Sequence, residues 1–134
     1  MKINKKQQGA TLIELLLALA IIGVLVSVAY PSYSDFVLRS NRTEGQSALL
    51  NLANLQEQLF VDSRAYTADM TALGMDADPY VTENGYYSID AAVNGATFVL
   101  TATAKKGQVK DTGCTSLTIN HLGEKTPASG CWEN

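Results

Sequence analysis

The chain has 134 residues, 46% of them apolar, which suits one small domain plus one special segment. Its net charge is −3, and Lys2, Lys5 and Lys6 all lie before the first apolar run, leaving seven basic against thirteen acidic residues in the rest. A remainder that acidic is no ready-made binder of a phosphate backbone.

Residues 9 to 30 read GATLIELLLALAIIGVLVSVAY, with no charge from Leu15 to Tyr30. The apolar segment counted from Ala10 is 21 residues, and a bilayer core of about 30 Å needs about 20 helical residues. The three lysines before it predict a cytoplasmic N-terminus with the rest of the chain outside. That orientation carries Cys114 and Cys131 to the oxidising side of a bacterial inner membrane, where a disulfide is expected rather than two free thiols. It would close an 18-residue loop, a constraint that stabilises by about 3 kcal/mol in the chain-entropy model.

Two plainer readings compete for the same segment. One is a secretory signal peptide cut near Ser27-Val28-Ala29; Glu14 at the head of the apolar run and the helical pattern beyond Tyr30 argue against it. The other is a simple anchor, which leaves Glu14 as a cost of about 3 kcal/mol at mid-helix and less near an end. An acid inside a span is read as functional, and its partner has to be named.

Gly9-Ala10-Thr11-Leu12-Ile13-Glu14-Leu15, after a short basic leader and before an apolar run, resembles the class III signal of type IV pilins. The resemblance implies cutting after Gly9 by prepilin peptidase, methylation of the new amine on Ala10, and packing of N-terminal helices into a filament. Ala10 departs from the Phe usual at the first mature position. The same resemblance offers Glu14 a partner: the Ala10 amine of a neighbouring subunit, met across a stagger of parallel helices. Pairing removes much of the penalty of burying either charge alone and favours one register. Glu14 also lies in the first turns of a helix, where the dipole favours an anion.

Gly23 weakens a helix by about 1 kcal/mol relative to Ala, and Pro31 removes a backbone donor. In the filaments of the family a segment between matching residues unwinds, so Gly23 to Pro31 is expected to be an extensible helix break. Beyond Pro31, Tyr33, Phe36, Val37, Ala48, Leu52, Leu55 and Leu59 recur at helical spacing with polar residues between them. One helix is therefore expected to run to about Val61. Residues 62 to 85 read as a loop with one short turn around Met70 to Leu73. Asp76-Ala77-Asp78 within it is too sparse for a calcium loop.

From Tyr86 the pattern turns to strands: YYSIDAAV, a tight turn at Asn94-Gly95, then TFVLTATA. Lys105, Lys106 and Lys110 follow, then a third strand CTSLTINH, a turn at Leu122-Gly123 and a short return through Glu124-Lys125-Thr126. The expected fold is α+β, a long N-terminal helix packed on a small antiparallel sheet. Its divisions are a cleaved leader over 1–9, a membrane or filament-core half-helix over 10–30, an amphipathic half-helix over 31–61, and a disulfide-closed sheet region over 62–134. The C-terminal half also resembles type IV pilins, which bracket a terminal loop with a disulfide.

His121 stands alone, without Cys or Asp at ligand spacing, and no phosphate loop or nucleophile elbow is present. No catalytic residue, metal or cofactor is expected, and Trp132 beside Cys131 reads as a packing residue. The resemblance implies a structural subunit, a small minor pilin, whose partners are other pilin subunits, prepilin peptidase and the inner-membrane assembly machinery. It would sit in the inner membrane before assembly and in an extracellular pilus after it. Three alternatives stay open: a secretion-system pseudopilin, whose major forms usually carry a calcium-binding region in place of a disulfide; a competence pilin that binds DNA near Lys105, Lys106 and Lys110, with Tyr80, Tyr86 or Tyr87 as aromatic partners; and a monomeric exported domain.

Overall fold

A computed structural model describes residues 9–132. The expected leader, with Lys2, Lys5 and Lys6, falls on residues 1–9 and, Gly9 apart, lies outside them. Helix α1 spans Leu12–Ser63, two residues past the expected end, and runs without interruption through Gly23 and Pro31. The unwinding expected between those residues concerns the assembled filament. The fold divides into two units at Asp35 and Phe36.

Among its described residues, the first unit is the start of α1 from Leu12 onward, preceded by Gly9, Ala10 and Thr11. Every described residue to Asp35 is exposed, and an 18-residue window of α1 reaches a mean hydropathy of 2.8 with none of it buried. Leu12, Leu16, Ile22 and Val28 project freely. An apolar surface on all sides has no stable aqueous state by itself and requires lipid or other helices around it.

The second unit packs the rest of α1 on a five-stranded antiparallel sheet in the order β1-β2-β3-β4-β5. The strands are β1 (Tyr80–Val81), β2 (Tyr87–Asn94), β3 (Thr97–Ala104), β4 (Ser116–Asn120) and β5 (Lys125–Thr126). Period-two alternation sends Tyr87, Ile89 and Ala91 of β2, Phe98, Leu100, Ala102 and Ala104 of β3, and Leu117 and Ile119 of β4 into the core. From α1 come Leu49 and Leu52, with Arg42, Gly45, Gln46 and Gln56 on the same buried stripe at three- and four-residue spacing. The fully buried Leu, Ile and Phe side chains among them each contribute about 1.5–3 kcal/mol. Gly45 lets helix and sheet approach closely. A Cβ there would stand 2.8 Å from Tyr87 Cδ2, so only hydrogen lets the ring lie on the helix.

The hairpin forms as expected, but its two-residue turn is Gly95-Ala96. Asn94 pairs with Thr97 as the last rung, while Gly95 takes the positive φ of 59°. The loop over 62–85 holds the expected 3₁₀ turn at Met70–Leu73, capped by Asp69. It also holds strand β1, where the sequence pattern predicts only loop; Tyr80 pairs with Ile89 and Val81 with Ser88. A second 3₁₀ turn spans Lys106–Lys110.

Candidate functional site

The helix start carries the first group of interest. Gly9 and Ala10 are exposed and precede the helix. The Thr11 amide donates to Glu14 Oε2 at 2.7 Å, and the Glu14 amide donates to Thr11 Oγ1 at 3.3 Å. This reciprocal pair is a capping box, Thr-x-x-Glu, which satisfies two orphan donors of the first turn. Glu14 therefore has a local partner in the chain itself, a role its sequence context signals through Thr11 three residues before it. Further along, Ser27 Oγ donates to Val24 O, which turns a hydroxyl back onto the helix within the apolar run.

A second group gathers at the C-terminal end of the fold. Cys114 and Cys131 are joined, with Cα atoms 5.5 Å apart. Around them, Arg42 donates through Nε to Asp111 Oδ2 at 2.8 Å and through an η nitrogen to Oδ1 at 2.7 Å, a bidentate pair only 8% exposed on either side. Its other η nitrogen reaches Gly130 O at 3.1 Å. Gln46 Nε2 donates to Cys131 O, and Gln108 Nε2 donates to Leu38 O at 2.8 Å and Asp111 Oδ2 at 3.1 Å. Arg42 and Gln46 thus tie the Cys131 end of the disulfide loop to α1, while Gln108 and Asp111 fasten to it the segment just before Cys114. Burial pushes the Tyr87 phenol above its ordinary pKa, although the Gln108 side chain beside it acts in the opposite sense. Trp132 is half-buried against the core edge and donates to Thr126 O at 3.0 Å, with Lys125 Nζ 5.2 Å from its ring centre.

The third group is the lysine-bearing turn. Lys105, Lys106 and Lys110 are exposed. The Lys105 amide donates to Tyr86 O at 2.7 Å, and Lys106 Nζ donates to Asn84 O at 3.2 Å. Of Tyr80, Tyr86 and Tyr87, half-buried Tyr86 is the one whose backbone joins this turn; Tyr87 is in the core and Tyr80 is on β1. His121 is elsewhere, beside Phe98, lining an open groove of about 350 Å³ with Leu50, Glu57 and Leu122. Asp76 and Asp78 are exposed, and among the described residues no three His, Cys, Asp or Glu side chains gather in a metal-holding group. The Asp69 carboxyl is held below its ordinary pKa by hydrogen bonds from the Thr71 hydroxyl and amide, which serve the cap.

Residues 4–30 match the family described as "Prokaryotic N-terminal methylation motif". Residues 31–118 match "Type IV minor pilin ComP, DNA uptake sequence receptor". The chain is 35% identical over 137 aligned positions to "Fimbrial protein EcpC" of Eikenella corrodens, covering 98% of this chain and 84% of that one. It is 41% identical over 73 positions to "Type IV major fimbrial protein FimA" of Dichelobacter nodosus, a match spanning 54% of this chain and 41% of the relative. The fold matches a solved type IV pilin from Shewanella oneidensis with a TM-score of 0.57 and 23% identity, over 72% of this chain and 99% of that one. With a methylation motif over residues 4–30, a minor-pilin match over residues 31–118 and a fimbrial protein 35% identical over nearly the whole chain, the chain belongs to the type IV pilins, in the family of the minor pilin ComP.

Proposed function

We propose that this pilin is made as a precursor, held in the inner membrane by residues 10–30 with its N-terminus cytoplasmic, and cut between Gly9 and Ala10 by prepilin peptidase. Ala10 is then methylated, and the subunit enters an extracellular pilus as a minor component through its N-terminal helix. It acts by assembly rather than by catalysis. The observation that carries this reading is the first unit itself: an apolar helix exposed on every side, which the bilayer covers first and neighbouring pilin helices cover later. Glu14 pairs with the Ala10 amine of a neighbour in the filament, and Gly23 to Pro31 unwinds there, because a glycine and a proline lower the cost of opening helical hydrogen bonds between them. Intact-mass and N-terminal peptide measurement of membrane material tests the processing step. The expected mature chain begins with N-methylated Ala10; one beginning at Tyr30 would overturn the reading in favour of an ordinary signal peptide.

A second reading, a pilin that captures DNA for uptake, is favoured by one observation: residues 31–118 match a family described as a DNA uptake sequence receptor. Fluorescence anisotropy of labelled duplexes over a salt series tests it, since phosphate contacts weaken steeply as salt rises. Saturable, salt-sensitive binding is expected of a receptor, and flat anisotropy removes the reading.

A further inference from the structure

The turn Lys106–Lys110 combines two features that a solvated loop does not need together. Lys105, Lys106 and Lys110 are exposed, and Val109, between the last two, is 55% exposed. The turn is fastened to the start of the second unit by the bond from Gln108 Nε2 to Leu38 O, and the same stretch of α1 presents Phe36, 67% exposed, and Arg39. The acids on these segments are engaged or few. Asp111 is buried against Arg42 and Glu44 accepts the Asn84 amide at 2.8 Å, while Asp35 beside Phe36 and Glu83 beside Asn84 are exposed, two acids against the four basic side chains of Arg39, Lys105, Lys106 and Lys110.

We propose that the Lys105–Lys110 turn, with Phe36 and Arg39, is a contact surface for the anionic phospholipid headgroups of the membrane that holds the unassembled subunit. The proposal rests on the reading of residues 10–30 as the inserted segment. Leu38 follows Tyr30 by eight residues, a stretch that reaches about 28 Å at most even when fully extended. The turn fastened to Leu38 is thus tethered within reach of the bilayer surface, and tethering replaces a bimolecular encounter by a high local concentration. Basic side chains near an anionic leaflet are attracted within a Debye length. Exposed apolar residues among them fit the boundary between headgroups and acyl chains, where basic and apolar side chains act together. A duplex backbone would use the lysines and leave Val109 and Phe36 without a role. Such a contact holds the second unit against the membrane until the helix is drawn out, and it is released when the subunit leaves the bilayer.

The test uses the full chain in nanodiscs of phosphatidylcholine alone or mixed with phosphatidylglycerol, followed by amide hydrogen exchange. The expected result is exchange over residues 106–110 slower by about tenfold in the anionic discs. High salt and the variant Lys105→Gln, Lys106→Gln, Lys110→Gln should abolish the difference, while β3 amides exchange alike throughout and certify the fold. Equal exchange in both lipids, with the chain retained in the disc, overturns this contact alone. Failure of the chain to remain with the disc overturns the inserted-segment reading and this contact with it. Slowing produced by added duplex DNA and not by lipid overturns the proposal and assigns the turn to nucleic acid.

Discussion

Arg42 joins several parts of the closed end of the fold. Its guanidinium matches the Asp111 carboxylate in a bidentate pair and also serves Gly130 O, so helix, 3₁₀ turn and disulfide loop meet on one side chain. A buried pair of this kind contributes little net stability against an apolar replacement, yet breaking it leaves a charge stranded. Asp111→Asn should therefore cost about 3–5 kcal/mol, while the double replacement Arg42→Met with Asp111→Leu should cost much less. Urea unfolding followed by Trp132 fluorescence separates the two outcomes, and equal losses would contradict the charge argument. Tyr87 offers a pH test beside it. Because burial raises its phenol above 10.0, the stability linked to the neutral form is complete below that value and is lost as pH rises through the raised one. Tyr87→Phe should flatten the alkaline limb of the stability profile above pH about 10. A limb of unchanged steepness in the variant would assign it to other groups.

Among the elements, those written as periodic patterns are legible in the sequence and those made by pairing are not. Helix α1 announces itself through apolar spacing, and the hairpin through alternation on both sides of a turn signal. The turn itself sits one residue on from Asn94-Gly95, because Asn94 keeps its side of the ladder and Gly95 alone needs the left-handed conformation. Strand β1 has two residues and no alternation to read; it exists because Tyr80 and Val81 find the free edge of β2. The disulfide is legible from compartment, whereas the Arg42–Asp111 pair, 69 residues apart in sequence, leaves no local trace. Thr11-x-x-Glu14 does leave one, although the acid stands out more for its charge in a span than for its cap. Gly45 is a further case: within a helical run it reads only as a weak point, and its reason is the Tyr87 ring facing it. Gly45→Ala places a Cβ 2.8 Å from that ring, an overpacking that should cost about 1–3 kcal/mol despite the better helix propensity of Ala. A variant at least as stable as the parent in urea would show that the ring yields.

At the scale of the whole molecule, the two units need different surroundings, and Glu14 is where that difference can be measured. The second unit closes its own core; the first exposes apolar side chains all round and must be covered by lipid or by other subunits. Within the chain Glu14 already accepts the Thr11 amide, so a structural role and the proposed pairing with a neighbour's Ala10 amine both predict harm from its removal. Gln separates them, because it can still accept that amide in a capping box while it lacks the charge. If the cap is the whole role, Glu14→Gln should enter filaments normally, and Glu14→Leu should lose only the capping contribution, about 0.5–2 kcal/mol on the scale of other caps. If the charge pairs across subunits, Glu14→Gln leaves the Ala10 amine buried without its partner, a penalty of about 3–5 kcal/mol for a broken buried pair. Incorporation should then fall by more than tenfold for Gln and Leu alike, since about 1.4 kcal/mol already corresponds to tenfold. Membrane insertion and processing should persist in both variants, because removing a charge does not hinder entry into the bilayer. The measurement is the ratio of each variant in sheared filaments to its pool in the inner membrane, with the mature N-terminus checked by mass. Normal incorporation of Glu14→Gln beside a poorly incorporated Glu14→Leu would make Glu14 a helix cap and remove its part in assembly.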